Sequence, residues 1–119
     1  MSGLNSDSYF KNDTDTVTSN ISKNVLEKAL TTGIYVVSFT VTFQSVEDNK
    51  SLFTVIREHA SPNTALLSQS MKSLSGDFSS MSCSGIINLA TNMTIDFRVG
   101  NKLSNNTTVN YRISIIKLK

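Results

Sequence analysis

The chain reads as an all-β protein, an antiparallel β-sandwich of the jelly-roll kind, and three features predict it. Apolar side chains recur at every second position in several separate stretches, the period of an extended strand with one buried face. Clusters of Gly, Asn, Asp and Ser punctuate these stretches roughly every 8 to 12 residues, the spacing of a sandwich of short strands. No helical stretch is long enough to carry the chain from one parallel strand to the next, which leaves antiparallel pairing.

Residues 1–20 are polar, with Leu4, Tyr9, Phe10 and Val17 as anchors, and read as an attachment arm or a loosely packed first strand. The jelly-roll domain then occupies residues 21–119. Residues 24–30 fit a short helical turn capped by Asn24 and stopped at Thr31-Thr32-Gly33, though so short a segment is no stable helix alone. From Gly33 the alternation is clear: Tyr35, Val37, Phe39, Val41 and Phe43 share one face. The opposite face, Ile34, Val36, Ser38, Thr40 and Thr42, starts apolar and becomes hydroxylated. Glu47-Asp48-Asn49 supplies a turn, and residues 52–57 form a strand with Phe53 and Val55 on one face. Ser61-Pro62-Asn63 breaks the chain before a weaker strand over 65–71, and Ser75-Gly76-Asp77 breaks it again. Met81, Cys83, Ile87 and Leu89 alternate across Gly85. Met93, Ile95, Phe97 and Val99 alternate after the Ala90-Thr91-Asn92 bend, and the two runs read as a hairpin. Gly100-Asn101 opens a polar loop, and Val109, Tyr111, Ile113 and Ile115 give one face of the last strand.

Composition narrows the functions. A chain of 119 residues supplies one core, and 11 basic against 9 acidic residues gives no broad positive field, so no nucleic-acid partner is expected. The single cysteine, Cys83, forms no internal disulfide and falls on an apolar strand face as a small core residue. No apolar run approaches the roughly 20 residues of a membrane helix, and Met1-Ser2-Gly3-Leu4 is not a basic flank leading into an apolar stretch. Neither membrane insertion nor signal-peptide secretion is expected. Ser, Thr and Asn exceed a third of the chain, so triplets such as Asn20-Ile21-Ser22 follow from composition alone.

Catalytic chemistry is not expected. His59 is the only histidine, and no pattern brings a serine or Cys83 to it. The acids are dispersed, with Glu47-Asp48 in a solvated turn. No phosphate-binding glycine loop or other cofactor motif is present, so no cofactor is implied. Asn12-Asp13-Thr14-Asp15 places oxygens at alternate positions, but the rest of a calcium loop is missing and no metal site is assigned. Loops rich in Asn, Ser and Thr offer donors and acceptors for sugar hydroxyls, and Tyr9 and Phe10 are the aromatic rings outside the core, as stacking platforms or as anchors. On the strand from Gly33, Ile34 and Val36 lie on the face opposite the core, as do Ile116 and Leu118 on the last strand. Irregular packing or loops folding over the face would cover it, and self-association covers it with fewer parts.

The run from Ala29 to Phe43, with its Gly33-Ile34-Tyr35 core, resembles the Gly-x-Tyr strand of the complement globular-head and tumour-necrosis-factor-like jelly rolls. Cys83-Ser84-Gly85-Ile86-Ile87-Asn88-Leu89 followed by Met93 to Val99 resembles that family's Ser-Gly-x-x-x-Leu strand, bend and β-rich strand, and Tyr111 to Leu118 sits where its last central strand lies. The likeness spans residues 25 to 119. Thr91-Asn92 stands where the family often has Gly-Asp, and Tyr111-Arg112-Ile113 lacks its aromatic-x-Gly.

The resemblance implies a compact homotrimer with one sheet facing the three-fold axis, and Val36, Thr40, Asp96, Arg98, Arg112 and Ile116 as interface residues. With the polar arm and the hydroxyl-rich composition, it also implies a bacteriophage version, on the virion surface after synthesis in the host cytoplasm. Two roles follow. One is a tail-fibre or baseplate head whose loops, with Glu47, Asp48, Asn49, His59, Asn63, Asn105 and Asn106, meet a host-surface glycan. The other is a capsid or tail decorating protein that docks on other virion proteins through its arm.

Overall fold

In the computed structural model, residues 8–44, 50–60, 63–72 and 78–119 are described. They form eight strands: β1 (Tyr9–Val17), β2 (Ser22–Leu30), β3 (Gly33–Gln44), β4 (Ser51–Glu58), β5 (Ala65–Lys72), β6 (Phe78–Leu89), β7 (Met93–Asn101) and β8 (Thr107–Lys117). One sheet, here sheet A, has the order β1-β8-β3-β6, and the other, sheet B, the order β2-β7-β4-β5. All pairings are antiparallel. The fold is the expected all-β antiparallel jelly-roll sandwich.

The core lies between the sheets and is built by alternation. Tyr35, Val37, Phe39, Val41 and Phe43 of β3 are buried, as are Val109, Tyr111, Ile113 and Ile115 of β8 and Ile95, Phe97 and Val99 of β7. The ring of Phe39 in sheet A meets that of Phe97 in sheet B edge-on at 5.5 Å between centroids, which locks the layers together near the middle. Cys83 is buried as expected, and burial pushes its thiol above the ordinary range.

Several expectations are corrected. Residues 24–30 are not a helical turn but most of β2, paired along β7 with a bulge at Asn24/Leu26. The bulge lets Val25 and Leu30, five residues apart, both face the core, which breaks the period of two, and cross-strand pairing decides the structure. The runs around Cys83 and Phe97 are not a hairpin: β6 pairs with β3 in sheet A, whereas β7 pairs with β2 and β4 in sheet B. As expected, Phe53 and Val55 share one face of β4; it is the outer one, and the buried side chains are Leu52, Thr54 and Ile56. Of the readings for the N-terminal segment, residues 9–17 are the first strand, paired residue for residue with β8.

Candidate functional site

The outer face of sheet A is laid out in cross-strand rows. At one end Val36 pairs with Ile86 on one side and Ile116 on the other, an apolar row spanning β6, β3 and β8. Ile86 is 68% exposed and Val36 36%, Ile116 is half-buried, and Leu118, two residues beyond Ile116, is 52% exposed, so the sandwich leaves most of this row open. The next row is Ser84, Ser38 and Ser114, with Phe10 at its β1 end, outward and 56% exposed. Then come Ser82, Thr40, Arg112 and Asn12, and after them Ser80, Thr42, Asn110 and Thr14. Hydroxyls bond to hydroxyls along this part: Ser84 Oγ donates to Ser38 Oγ at 3.2 Å and Thr42 Oγ1 to Ser80 Oγ at 3.3 Å.

Arg112 is the only charged side chain that strand alternation places on this face among the described residues, and no carboxylate there pairs with it. It borders two depressions. One, of about 440 Å³, is lined by Asn12, Thr40, Thr42, Asn110 and Arg112. The other, of about 350 Å³, is lined by Phe10, Lys11, Asn12, Arg112, Ile113 and Ser114. Thr14 Oγ1 donates to Asn110 Oδ1 at 2.7 Å, which leaves the Asn110 amide N–H groups to point elsewhere.

On the outer face of sheet B, Arg57, His59 and Glu27 gather around one buried carboxylate, while Arg98 has no ion pair among the described residues. Asp96 of β7 is wholly buried, receives Arg57 Nε at 3.0 Å and lies 3.0 Å from His59 Nδ1. His59 Nε2 lies 3.3 Å from Glu27, which in turn accepts from Asn24 Nδ2 at 2.8 Å. The ring of Phe53 lies on Gly100: a Cβ there would fall 1.9 Å from Phe53 Cζ.

The predicted interface residues divide between the sheets. Val36, Thr40, Arg112 and Ile116 share the outer face of sheet A, whereas Asp96 and Arg98 lie on the outer face of sheet B. The two sets cannot belong to one surface, because Asp96 and Arg98 point away from the same core in the opposite direction. Of the predicted ligand loops, Glu47, Asp48 and Asn49 lie outside the described residues. His59 bridges Asp96 and Glu27. Asn63, at φ 56°, closes the β4–β5 turn by donating to Glu58 O and His59 O. Asn106 accepts from Ser19 N, and Asn105 O accepts from Asn101 Nδ2 at the other end of the sandwich.

Asp13 accepts from its neighbour's backbone, at Thr14 N. Asp15 is held by Lys23 Nζ at 2.6 Å, and that hydrogen bond keeps its carboxyl below the usual range. Among the described residues no three carboxylate, imidazole or thiol ligands converge on one point. Tyr9 packs on the core under Lys28, 4.5 Å from its ring centroid, so of the two N-terminal rings only Phe10 faces outward. Asn12, Asn110, Ile86 and Arg57 were not among the sequence-predicted site residues. Their surroundings depend on the register of β1 with β8 and of β4 with β7, which no local pattern carries.

Solved structures that superpose on this architecture include a tumour-necrosis-factor protein, a complement globular domain and a chain of a virus particle. A tumour-necrosis-factor protein, Eiger of S. frugiperda, superposes with TM-score 0.62 at 12% identity, covering 98% of this chain and 88% of that one. The globular domain of zebrafish complement 1qA gives TM-score 0.62 at 10% identity, covering 95% and 98%. A chain of the T13 infectious bursal disease virus particle gives TM-score 0.67 at 9% identity, covering 93% of this chain and 31% of that one. This chain thus spans about a third of the viral chain's length. Identities this low establish the fold alone. No protein-family model matches the sequence, and no curated protein matches it.

Proposed function

We propose that the chain is a non-enzymatic homotrimeric virion module, a phage tail-fibre or baseplate head that binds a glycan on the host surface. The observation that carries this reading is the open apolar row Ile86–Val36–Ile116 on the outer face of sheet A. Two exposed β-branched side chains, Ile86 and Val36, beside the half-buried Ile116 form an apolar association surface in a small domain. A three-fold arrangement covers it with copies of the same chain and closes without further growth. Three linked sites raise weak glycan affinity by effective concentration.

The test is a glycan array probed with the labelled protein, alongside adsorption to host cells. Binding to a defined glycan set, with competition by the soluble glycan, supports the adhesion head. No binding to any glycan or cell overturns it. The likeness to a chain of an icosahedral virus particle favours a second reading, a decorating protein docked through its N-terminus. Because residues 9–17 are β1, the discriminating truncation removes only residues 1–7. Loss of particle docking with the fold intact favours decoration, and retained docking rejects it.

A further inference from the structure

We propose that the polar half of the outer face of sheet A, around Arg112, is a binding site for a carboxylate-bearing saccharide such as a uronic acid oligomer. This rests on the adhesion reading above and moves recognition from the loops to a sheet face.

Charge complementarity comes first. Arg112 has no acidic partner among the described residues on a face otherwise made of hydroxyls, amides and apolar groups. A guanidinium offers five N–H donors in a planar fork that matches a carboxylate, and one fixed positive charge suits one carboxylate. Around it the remaining donors are in excess. Asn12 makes no hydrogen bond through its side chain within the described structure. The Asn110 amide N–H groups are free because its oxygen is taken by Thr14 Oγ1. Thr40 and Thr42 complete the wall with hydroxyls. A donor-rich wall next to a cation fits the carboxylate, ring oxygen and hydroxyl lone pairs of an acidic sugar.

The second depression supplies the other half of what a sugar needs. Phe10 stands outward beside Arg112, an exposed aromatic ring on which the apolar face of a pyranose can lie. Depressions of about 440 and 350 Å³, sharing Arg112 and Asn12, suit a chain of two or three sugars crossing the sheet. Asn12, Thr40 and Arg112 lie two rows from Val36, about 13 Å along the strand at roughly 3.3 Å per residue, and Phe10 lies one row from it on the far edge strand β1. Copies packed at the apolar row therefore leave the site in the wetter part of the face. Each copy holds its own site.

The test is calorimetric titration of the full chain with trigalacturonate, its methyl ester and neutral maltotriose, repeated with Arg112→Gln and Phe10→Ala. Trigalacturonate is expected to bind about tenfold or more tightly than the methyl ester or maltotriose. Arg112→Gln is expected to remove that preference, and Phe10→Ala to weaken all binding several-fold, with unchanged thermal unfolding in both. Equal affinity for the acid and its methyl ester, an unaltered preference in Arg112→Gln, or no binding of trigalacturonate overturns the site. The same titration on a Val36→Glu monomer separates the two proposals. Acid-selective binding by that monomer keeps the site even if the trimer is wrong, whereas glycan-array binding that ignores Arg112→Gln keeps the adhesion head without this site.

Discussion

The two outer faces of the sandwich solve the same problem in opposite ways. Sheet B closes its face with its own side chains: Arg57, His59 and Glu27 tie up the buried Asp96 and the loop around it, and the Phe53 ring covers the bare backbone at Gly100. Sheet A leaves an apolar row open to water and a guanidinium without a counter-charge among the described residues. Burying a charge is tolerable when it is paired, and exposing a row of β-branched side chains is tolerable when something covers it. Sheet B meets the first condition internally. Sheet A would meet the second through the proposed packing of copies.

The sharpest way to break this contrast is to open the closed face. Arg57→Ala leaves the wholly buried Asp96 with His59 alone, and removing one member of a buried ion pair should cost about 3 kcal/mol, read as a drop in urea midpoint at constant slope. Gly100→Ala drives a methyl group into the Phe53 ring and should cost about 2 kcal/mol by overpacking, with part of the loss recovered when Phe53→Ala is added. Ser84→Ala, on the hydroxyl ladder of the open face, should change stability by under about 0.5 kcal/mol, since that face contributes little to the isolated fold.

A small, pH-dependent effect belongs to the charged edge between the faces. Lys23 holds the Asp15 carboxyl below its ordinary value, so the pair's stabilisation is present above the usual carboxylate range and is lost as pH falls through the lowered folded value. Lys23→Ala should flatten that acid limb by under about 1 kcal/mol, and less in high salt, because both side chains are partly exposed. A limb unchanged by the substitution would show that the pair contributes nothing.

What was legible in the sequence was whatever the period of two could carry. β3 and β8 lie at the centre of sheet A, bury one face without interruption, and so show clean alternation. β1 and β2 are edge strands. The inward positions of β1 are largely charged and its outward ones polar, so it has no apolar face to detect, and the bulge of β2 scrambles its period. The division of β6 and β7 between sheets was hidden because a short bend between alternating runs looks alike whether it turns back in one sheet or crosses to the other. The site followed the same rule. Thr40 and Arg112 were readable as outward residues of recognisable strands, but the isolation of Arg112 and its neighbours Asn12 and Phe10 depend on pairing across some 100 residues of chain. Asp96 and Arg98, expected at the same interface as Val36 and Arg112, lie on the opposite sheet, because alternation gives the side of a strand, not the sheet it joins.

The central claim is that copies meet through the open face of sheet A and not through the closed face of sheet B. Sedimentation equilibrium across a dilution series tests it directly, with the wild-type chain compared to Val36→Glu and to Val55→Glu, outward positions in the middle strands of the two sheets. The account predicts three times the 13.0 kDa chain mass for the wild type and for Val55→Glu, and a single chain for Val36→Glu. A wild-type monomer at every concentration, or a Val36→Glu trimer, would contradict it.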